Sequence, residues 1–309
     1  MILKLIISFV ISILTVNLSQ KLLLKENIVD TPKKRSSHKN IATRNGGIAL
    51  FAALSVITTI FYIESNEVYD FSILIPLAIF FTIGVYDDIY SADFKLKFIF
   101  QIIAAKIMID QGLYIESLNG FLGIYEIPYL IGQPLSIFLI VLLVNASNFM
   151  DGIDGLCLTE SLKSFALVAF LLFNQNNGWN SFLIIVCISI IPLYFFNFRN
   201  NNKVFLGDAG SLLLGGIVAY SILFLIKEPF ILSSKLNIIN IILIVYLYPI
   251  IDLLRVVILR ISKKRSPFIA DKNHIHHYIL DKGFSQLQAT LIISVSTLVL
   301  QLTALYALT

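Results

Sequence analysis

Residues 205–226 read FLGDAGSLLLGGIVAYSILFLI. After Asp208 no charged residue appears until Lys227. A helix needs ~20 mostly apolar residues to cross a hydrocarbon core of about 30 Å. This stretch therefore reads as a membrane span with a carboxylate at its mouth. Nine similar runs flank it, so ten spans are expected: 2–24, 47–64, 71–86, 98–113, 134–149, 157–173, 181–197, 210–226, 238–258 and 286–308.

Composition agrees. The 309 residues are 57% hydrophobic and 14% charged, where a soluble domain carries about 25% charged residues, and mean hydropathy is +0.86. The expectation is an all-α polytopic membrane protein, one integral membrane domain over residues 1–309. The run at 2–24 is too apolar along its length, and lacks the small-residue cleavage site, for a signal peptide, so it reads as a retained span. Cys157 and Cys187 fall in or near spans and read as buried thiols, not a disulfide framework. Residues 113–133 alternate weakly, which suggests a small hairpin on the membrane surface.

Charge placement orients the spans. Sixteen Lys and Arg fall in loops 25–46, 87–97, 150–156, 198–209 and 259–285, whereas the opposite loops carry Lys227 and Lys235, with Lys4 near the N-terminus. The positive-inside rule puts the basic loops in the cytoplasm and both termini outside.

The chemically interesting residues share those basic loops. In DTPKKRSSHKNIATRNGG, 30–47, Arg35, His38 and Arg44 suit a phosphate, although a basic loop also serves as an orientation signal. GVYDDIYSADFKLK, 84–97, puts Asp87 and Asp88 at a span's edge; within a span a carboxylate costs roughly 2.5–3.5 kcal/mol. Magnesium binding and proton abstraction are both open to them, and Lys95 and Lys97 follow to offset charge or hold a phosphate. In NASNFMDGIDG, 145–155, Asn145, Asn148, Asp151 and Asp154 are spaced by three and emerge from an apolar run. A hard cation or polar ligand would satisfy them, as would hydrogen bonds between spans. Asp208, between Gly207 and Gly210, is placed to carry a cation beside a phosphate or to cap the next helix. DKNHIHHYIL, 271–280, holds His274, His276 and His277. Its cationic surroundings, Arg260, Lys263, Lys264, Arg265 and Lys272, oppose a metal and favour histidines that donate to phosphate oxygens; binding of acidic lipids is the plainer alternative. Carboxylates, amides, cations and histidines at one membrane face suit phosphoryl transfer with a divalent metal and a lipid substrate.

In that order, DTPKKRSSH, DDIYSADFKLK, NASNFMDGIDGL, FLGDAGS and HIHH resemble the motifs of the polyprenyl-phosphate N-acetylhexosamine-1-phosphate transferases, across nearly the whole chain. RSSH and HIHH look closer to the branch that starts O-antigen, enterobacterial common antigen and teichoic acid synthesis than to the peptidoglycan branch, which usually carries three consecutive histidines. The resemblance implies transfer of a sugar-1-phosphate from a UDP-sugar to undecaprenyl phosphate with release of UMP, in a bacterial inner membrane, with the site facing the cytoplasm. It implies magnesium, or manganese, as cofactor, with Asp208 and Asn148 as ligands. It makes Asp87, beside Asp88, the candidate for deprotonating the lipid phosphate, with a covalent phosphoenzyme at Asp87, or no base at all, left open. Lys97 would approach the nucleotide, Asp154 the uracil, and His274, His276 and His277 the diphosphate and sugar. Homodimers occur in this family; nothing in the sequence points to nucleic acid. Thr43 and Asn45 stand where the family usually has proline and glycine. Two other classes compete. A transporter of anions would set its polar residues near the midplane. An intramembrane aspartyl protease would carry Gly-x-Gly-Asp, where this chain has Phe205 at the first glycine.

Overall fold

The computed structural model describes residues 1–31, 41–65, 68–172, 178–228, 237–266 and 273–308. Arg35 and His38 lie outside the described residues.

The chain order is α1 (Ile2–Lys25), β1 (Ala42–Arg44), α2 (Gly46–Ile63), α3 (Leu74–Tyr90), α4 (Phe94–Asp110), α5 (Tyr129–Met150), α6 (Leu156–Leu171), α7 (Gly178–Asn197), β2 (Lys203–Phe205), α8 (Gly207–Lys227), α9 (Ile238–Ser262), α10 (Ile275–Asp281) and α11 (Gln286–Leu308). Every helix except the short α10 falls on one of the ten expected apolar runs. Eight helices among the described residues are long and apolar enough to cross a membrane, α3 counting with the 3-10 turn before it as Phe71–Tyr90; α4, with 17 residues, and α6, with 16, are shorter. The chain is a multi-pass, nearly all-helical membrane protein.

α8 is the central helix. In its spanning window 94% of residues are buried, against 17% in α1 and 22% in α11, which lie at the periphery. It packs on α3, α5, α2 and α6. The approach is close because small residues line it: a Cβ on Gly47 would lie 2.2 Å from Gly210 N, and one on Gly84 would lie 2.4 Å from the Ala209 Cα. In a bilayer, where apolar surface alone does not drive helices together, such backbone contact is a main source of packing.

Polar side chains complete the bundle. Ser8 and Ser189 hydrogen-bond at 2.6 Å, and Ser12 donates to Ser189 O at 2.8 Å, joining α1 to α7. α9 departs from helical geometry at Tyr246 (φ −138°, ψ 43°). Pro249 has no N–H for the carbonyl four residues back, and Ser164 Oγ donates to that carbonyl, Val245 O, at 2.8 Å.

Two features depart from expectation. Residues 111–128 form no strand: Ile127 N donates to Glu116 O at 2.8 Å, but the tip is a 3-10 turn at Phe121–Gly123. β1 and β2 form a parallel pair, with Thr43 opposite Val204, that joins the entrance of α2 to that of α8. Thr43 and Asn45, the unusual residues of this loop, bind α1. Gln20 Nε2 donates to Thr43 Oγ1 at 3.1 Å, and Asn45 Nδ2 donates to Val16 O at 3.0 Å and to Ser19 Oγ at 2.8 Å.

Gly84→Ala is expected to destabilise the bundle by at least the ~1–3 kcal/mol typical of overpacking, because the obstacle is backbone. A thermal unfolding midpoint in detergent that matches the wild type would show that α3 and α8 do not depend on this contact.

Candidate active site

The α3 end, the α4 start, the α5–α6 turn, the β2–α8 junction and α10 gather at one end of the bundle. A cavity of about 280 Å³ opens there, lined among others by Arg44, Asp88, Asn148, Asp151, Asp154, Asp208 and His277.

Its carboxylates are held in two ways. Asp88, whose side chain is 4% exposed, accepts Asp208 N and Ala209 N at 3.0 Å each. It thus satisfies two of the free N–H groups at the start of α8. Lys97 Nζ lies 2.5 Å from Asp208 Oδ2 and 3.4 Å from Asp87 Oδ2, and so links α4 to α3 and α8. Asp87 Oδ1 also accepts Ala92 N at 2.8 Å. Arg44 pairs with Asp30 at 2.9 Å and lies 3.7 Å from Asp88. Asn148 Nδ2 donates to Ser211 Oγ at 3.0 Å.

The other site candidates divide. Asn145 faces away from the cavity: its Nδ2 donates to Gln101 Oε1 at 2.7 Å across the α4–α5 contact, the interhelical bonding that the sequence left open. Asp154 is buried and ion-paired to Lys203, and α11 holds its backbone. Gln286 Oε1 accepts Asp154 N at 2.8 Å, and Thr290 Oγ1 donates to Asp154 O at 2.9 Å. Of the three histidines, His277 lines the cavity. His274 Nδ1 is 2.8 Å from Asp252 Oδ2. His276 is fully buried beside Gly152, its Nε2 without a hydrogen-bond partner among the described residues.

Lys203 and Asp252 were not singled out as site residues from sequence, nor were Glu160 and Lys163, a buried pair at 2.6 Å within α6. For Asp252 and Glu160 the signal was present: ionisable groups inside apolar spans are costly and need partners. For Lys203 there was none, because its partner is 49 residues away.

Asp151 and His276, both outside the spans, have displaced pKa values. The Asp151 carboxyl is pushed well above the usual carboxylate range, first by enclosure and then by the negative charges of Asp208 and Asp88, against Arg44 and the Gly207 N–H. Burial, then the neighbouring His277 and His274, pushes His276 down to about 3, so it is neutral near pH 7. Its folded value lies below the free value of 6.5. Its contribution to stability is therefore fully present above pH 6.5 and is lost as pH falls toward 3.

The donor set fits a hard cation. Asp208, Asp151 and Asn148 carry side-chain oxygens and line one cavity, and burial, with the negative charges of Asp208 and Asp88, raises the Asp151 carboxyl there. Among the described residues no three His, Cys, Asp or Glu side chains already converge as a metal group; the Lys97 ammonium stands between Asp87 and Asp208.

Buried carboxylates and cations thus surround one cavity at one end of a helical bundle. The sequence profile of glycosyl transferase family 4 matches residues 70–226. The undecaprenyl-phosphate alpha-N-acetylglucosaminyl 1-phosphate transferase of Escherichia coli (strain K12) is 30% identical over 302 residues, covering 94% of this chain and 80% of that protein. The Yersinia pestis protein of the same name is 29% identical over 306 residues, covering 96% and 81%. The chain belongs to glycosyl transferase family 4 and is a sugar-1-phosphate transferase.

Lys203→Met is expected to leave the Asp154 carboxylate buried without its cation, at a cost of about 3–5 kcal/mol. The double variant Lys203→Met, Asp154→Leu should recover part of that loss. Equal unfolding midpoints for the single variant and the wild type would remove the pair from the stability account. Separately, the acid-side loss of stability between pH 6.5 and 3 should flatten in His276→Gln; an unchanged pH profile would contradict the neutral, buried state of His276.

Proposed function

We propose that the chain transfers N-acetylglucosamine-1-phosphate from UDP-N-acetylglucosamine to undecaprenyl phosphate, with release of UMP. The observation that carries this reading is the cavity where Asp88, Asp151 and Asp208 meet Arg44, Asn148 and His277, with Lys97 behind them. The names of the relatives support the acceptor and the sugar.

A lipid-phosphate oxygen attacks the sugar-bearing phosphorus, the bridging P–O bond to UMP breaks, and a lipid-linked diphosphate sugar remains. Both substrates are anions, so this chain's task is to offset charge and to orient them. Arg44, already paired with Asp30, directs its guanidinium to the cavity side of Asp88. His277 borders the same space and donates to phosphate oxygens. Lys97 holds Asp87 and Asp208 in fixed relation. Asp87 receives the proton of the lipid phosphate. Asp208, Asn148 and Asp151 are the residues that would hold magnesium, or manganese, which when bound supplies Lewis-acid stabilisation of phosphoryl charge and of the leaving group.

The site end of the bundle carries the basic loops, which supports a cytoplasmic orientation in a bacterial inner membrane. The family likeness brings the homodimer into the same proposal, and α1 and α11 have outward apolar surface for a second copy.

Purified protein with both substrates should release UMP in a magnesium-dependent way, and Asp208→Asn should abolish turnover while the protein remains folded. No UMP from any UDP-sugar with undecaprenyl phosphate would overturn the reading. Asp87→Asn should lower kcat most below pH about 6 and recover as pH rises past about 6, where a phosphate monoester loses its second proton. A loss independent of pH would remove Asp87 as base. Cysteines at Ser91 and Lys264, in a background without Cys157 and Cys187, should resist impermeant thiol reagents in intact cells; their labelling would reverse the orientation.

A further inference from the structure

We propose that Asp252 is a positioning residue for the transfer, acting through His274 to aim the histidine helix at the cavity. The inference rests on the function proposed above.

α9 presents Tyr248, Asp252 and Arg255 at positions i, i+4 and i+7, which is one helix face. That face meets the start of α10. Asp252 Oδ2 lies 2.8 Å from His274 Nδ1, and Asp252 Oδ1 accepts the N–H of Ile275 at 2.9 Å. Arg255 donates to Asp252 Oδ1 at 2.9 Å and also to the carbonyl of Asn273. One carboxylate and its arginine thus grip three consecutive residues, 273 to 275. Tyr248 OH is 3.4 Å from His276 Nδ1.

The carboxylate also decides the chemistry of the ring. An ionised carboxylate only accepts hydrogen bonds, so the proton shared with His274 sits on Nδ1, and the tautomer and ring angle are set together. The ring in turn positions the others. His274 stacks on His276 with centroids 5.4 Å apart and planes 7° apart, and it meets His277 edge-on at 6.4 Å. His276 and His277 are 4.4 Å apart. Phe149 closes the far side of His274 at 5.4 Å. The rings form a packed set in which only His277 lines the cavity. A side chain that is 5% exposed, on a helix long and apolar enough to cross the membrane, is a costly place for a carboxylate. Apart from the bond from Arg255, which itself reaches Asn273, its bonds lead to the histidine segment.

The test compares Asp252→Asn, His274→Gln and the double variant, each normalised to folded protein. The asparagine can still accept from Ile275 N but carries no charge to fix the imidazole. Asp252→Asn should lower kcat/KM for UDP-N-acetylglucosamine roughly 10- to 100-fold, the loss of one hydrogen bond to a charged group. The KM for undecaprenyl phosphate should move much less. The double variant should be no worse than His274→Gln alone, because both changes interrupt one path. Wild-type kinetics in folded Asp252→Asn, or losses that multiply in the double variant, would overturn the proposal. Hydrogen–deuterium exchange supplies a readout without catalysis: uptake across residues 273–281 should rise in Asp252→Asn, while the α3 and α8 ends stay protected. Unchanged uptake there overturns the positioning role. An inactive wild type with raised uptake in the variant would overturn the proposed substrates and leave the Asp252 linkage supported.

Discussion

The structure depends on how negative charge is held at the mouth of α8. Asp88 accepts the amide groups of Asp208 and Ala209 at the start of α8, and Lys97 spans Asp87 and Asp208. These contacts join α3, α4 and α8 at the point where Gly84 lets backbone meet backbone. The same residues that seat the central helix therefore set the carboxylates of the site. A carboxylate removed from water needs amides, cations or a ligand around it; here the protein supplies the first two and leaves the cavity side open.

The surrounding elements secure that arrangement. β1 brings Arg44 beside Asp88, and it is itself tied to α1 through Thr43 and Asn45. α11 holds the backbone of Asp154, Lys203 holds its carboxylate, and α9 grips the start of α10. Peripheral helices thus reach the site through single side chains, while the apolar contacts of α8 supply the bulk of the packing.

Much of this was legible in the chain. The ten helical runs were visible because a bilayer demands long apolar stretches, and only their span status was a matter of length, at α4 and α6. Asp87, Asp88, Asn148, Asp151 and Asp208 stood out as oxygens emerging from apolar runs, and the structure brings them to one end of the bundle. Pattern does not reveal partners. Asn145 and Asn148 sit three apart on one helix, yet Gln101 captures the first and the cavity the second. Three histidines in four residues point in different directions along a helical turn, so their exposure differs although their sequence context is shared. β1 and β2 have three residues each, too few to show a period. Asp252 was visible as a charge within a span, but its meaning came only with the residues it meets.

We propose that Asp208, Asp151 and Asn148, which line one cavity, hold a hard cation beside a diphosphate. Manganese binding followed by electron paramagnetic resonance, in detergent and with UDP added, tests it directly. The account predicts one bound ion per chain, tightened by UDP and lost in Asp208→Asn. Manganese bound equally well by the wild type and Asp208→Asn, or not bound by an active wild type, would contradict it.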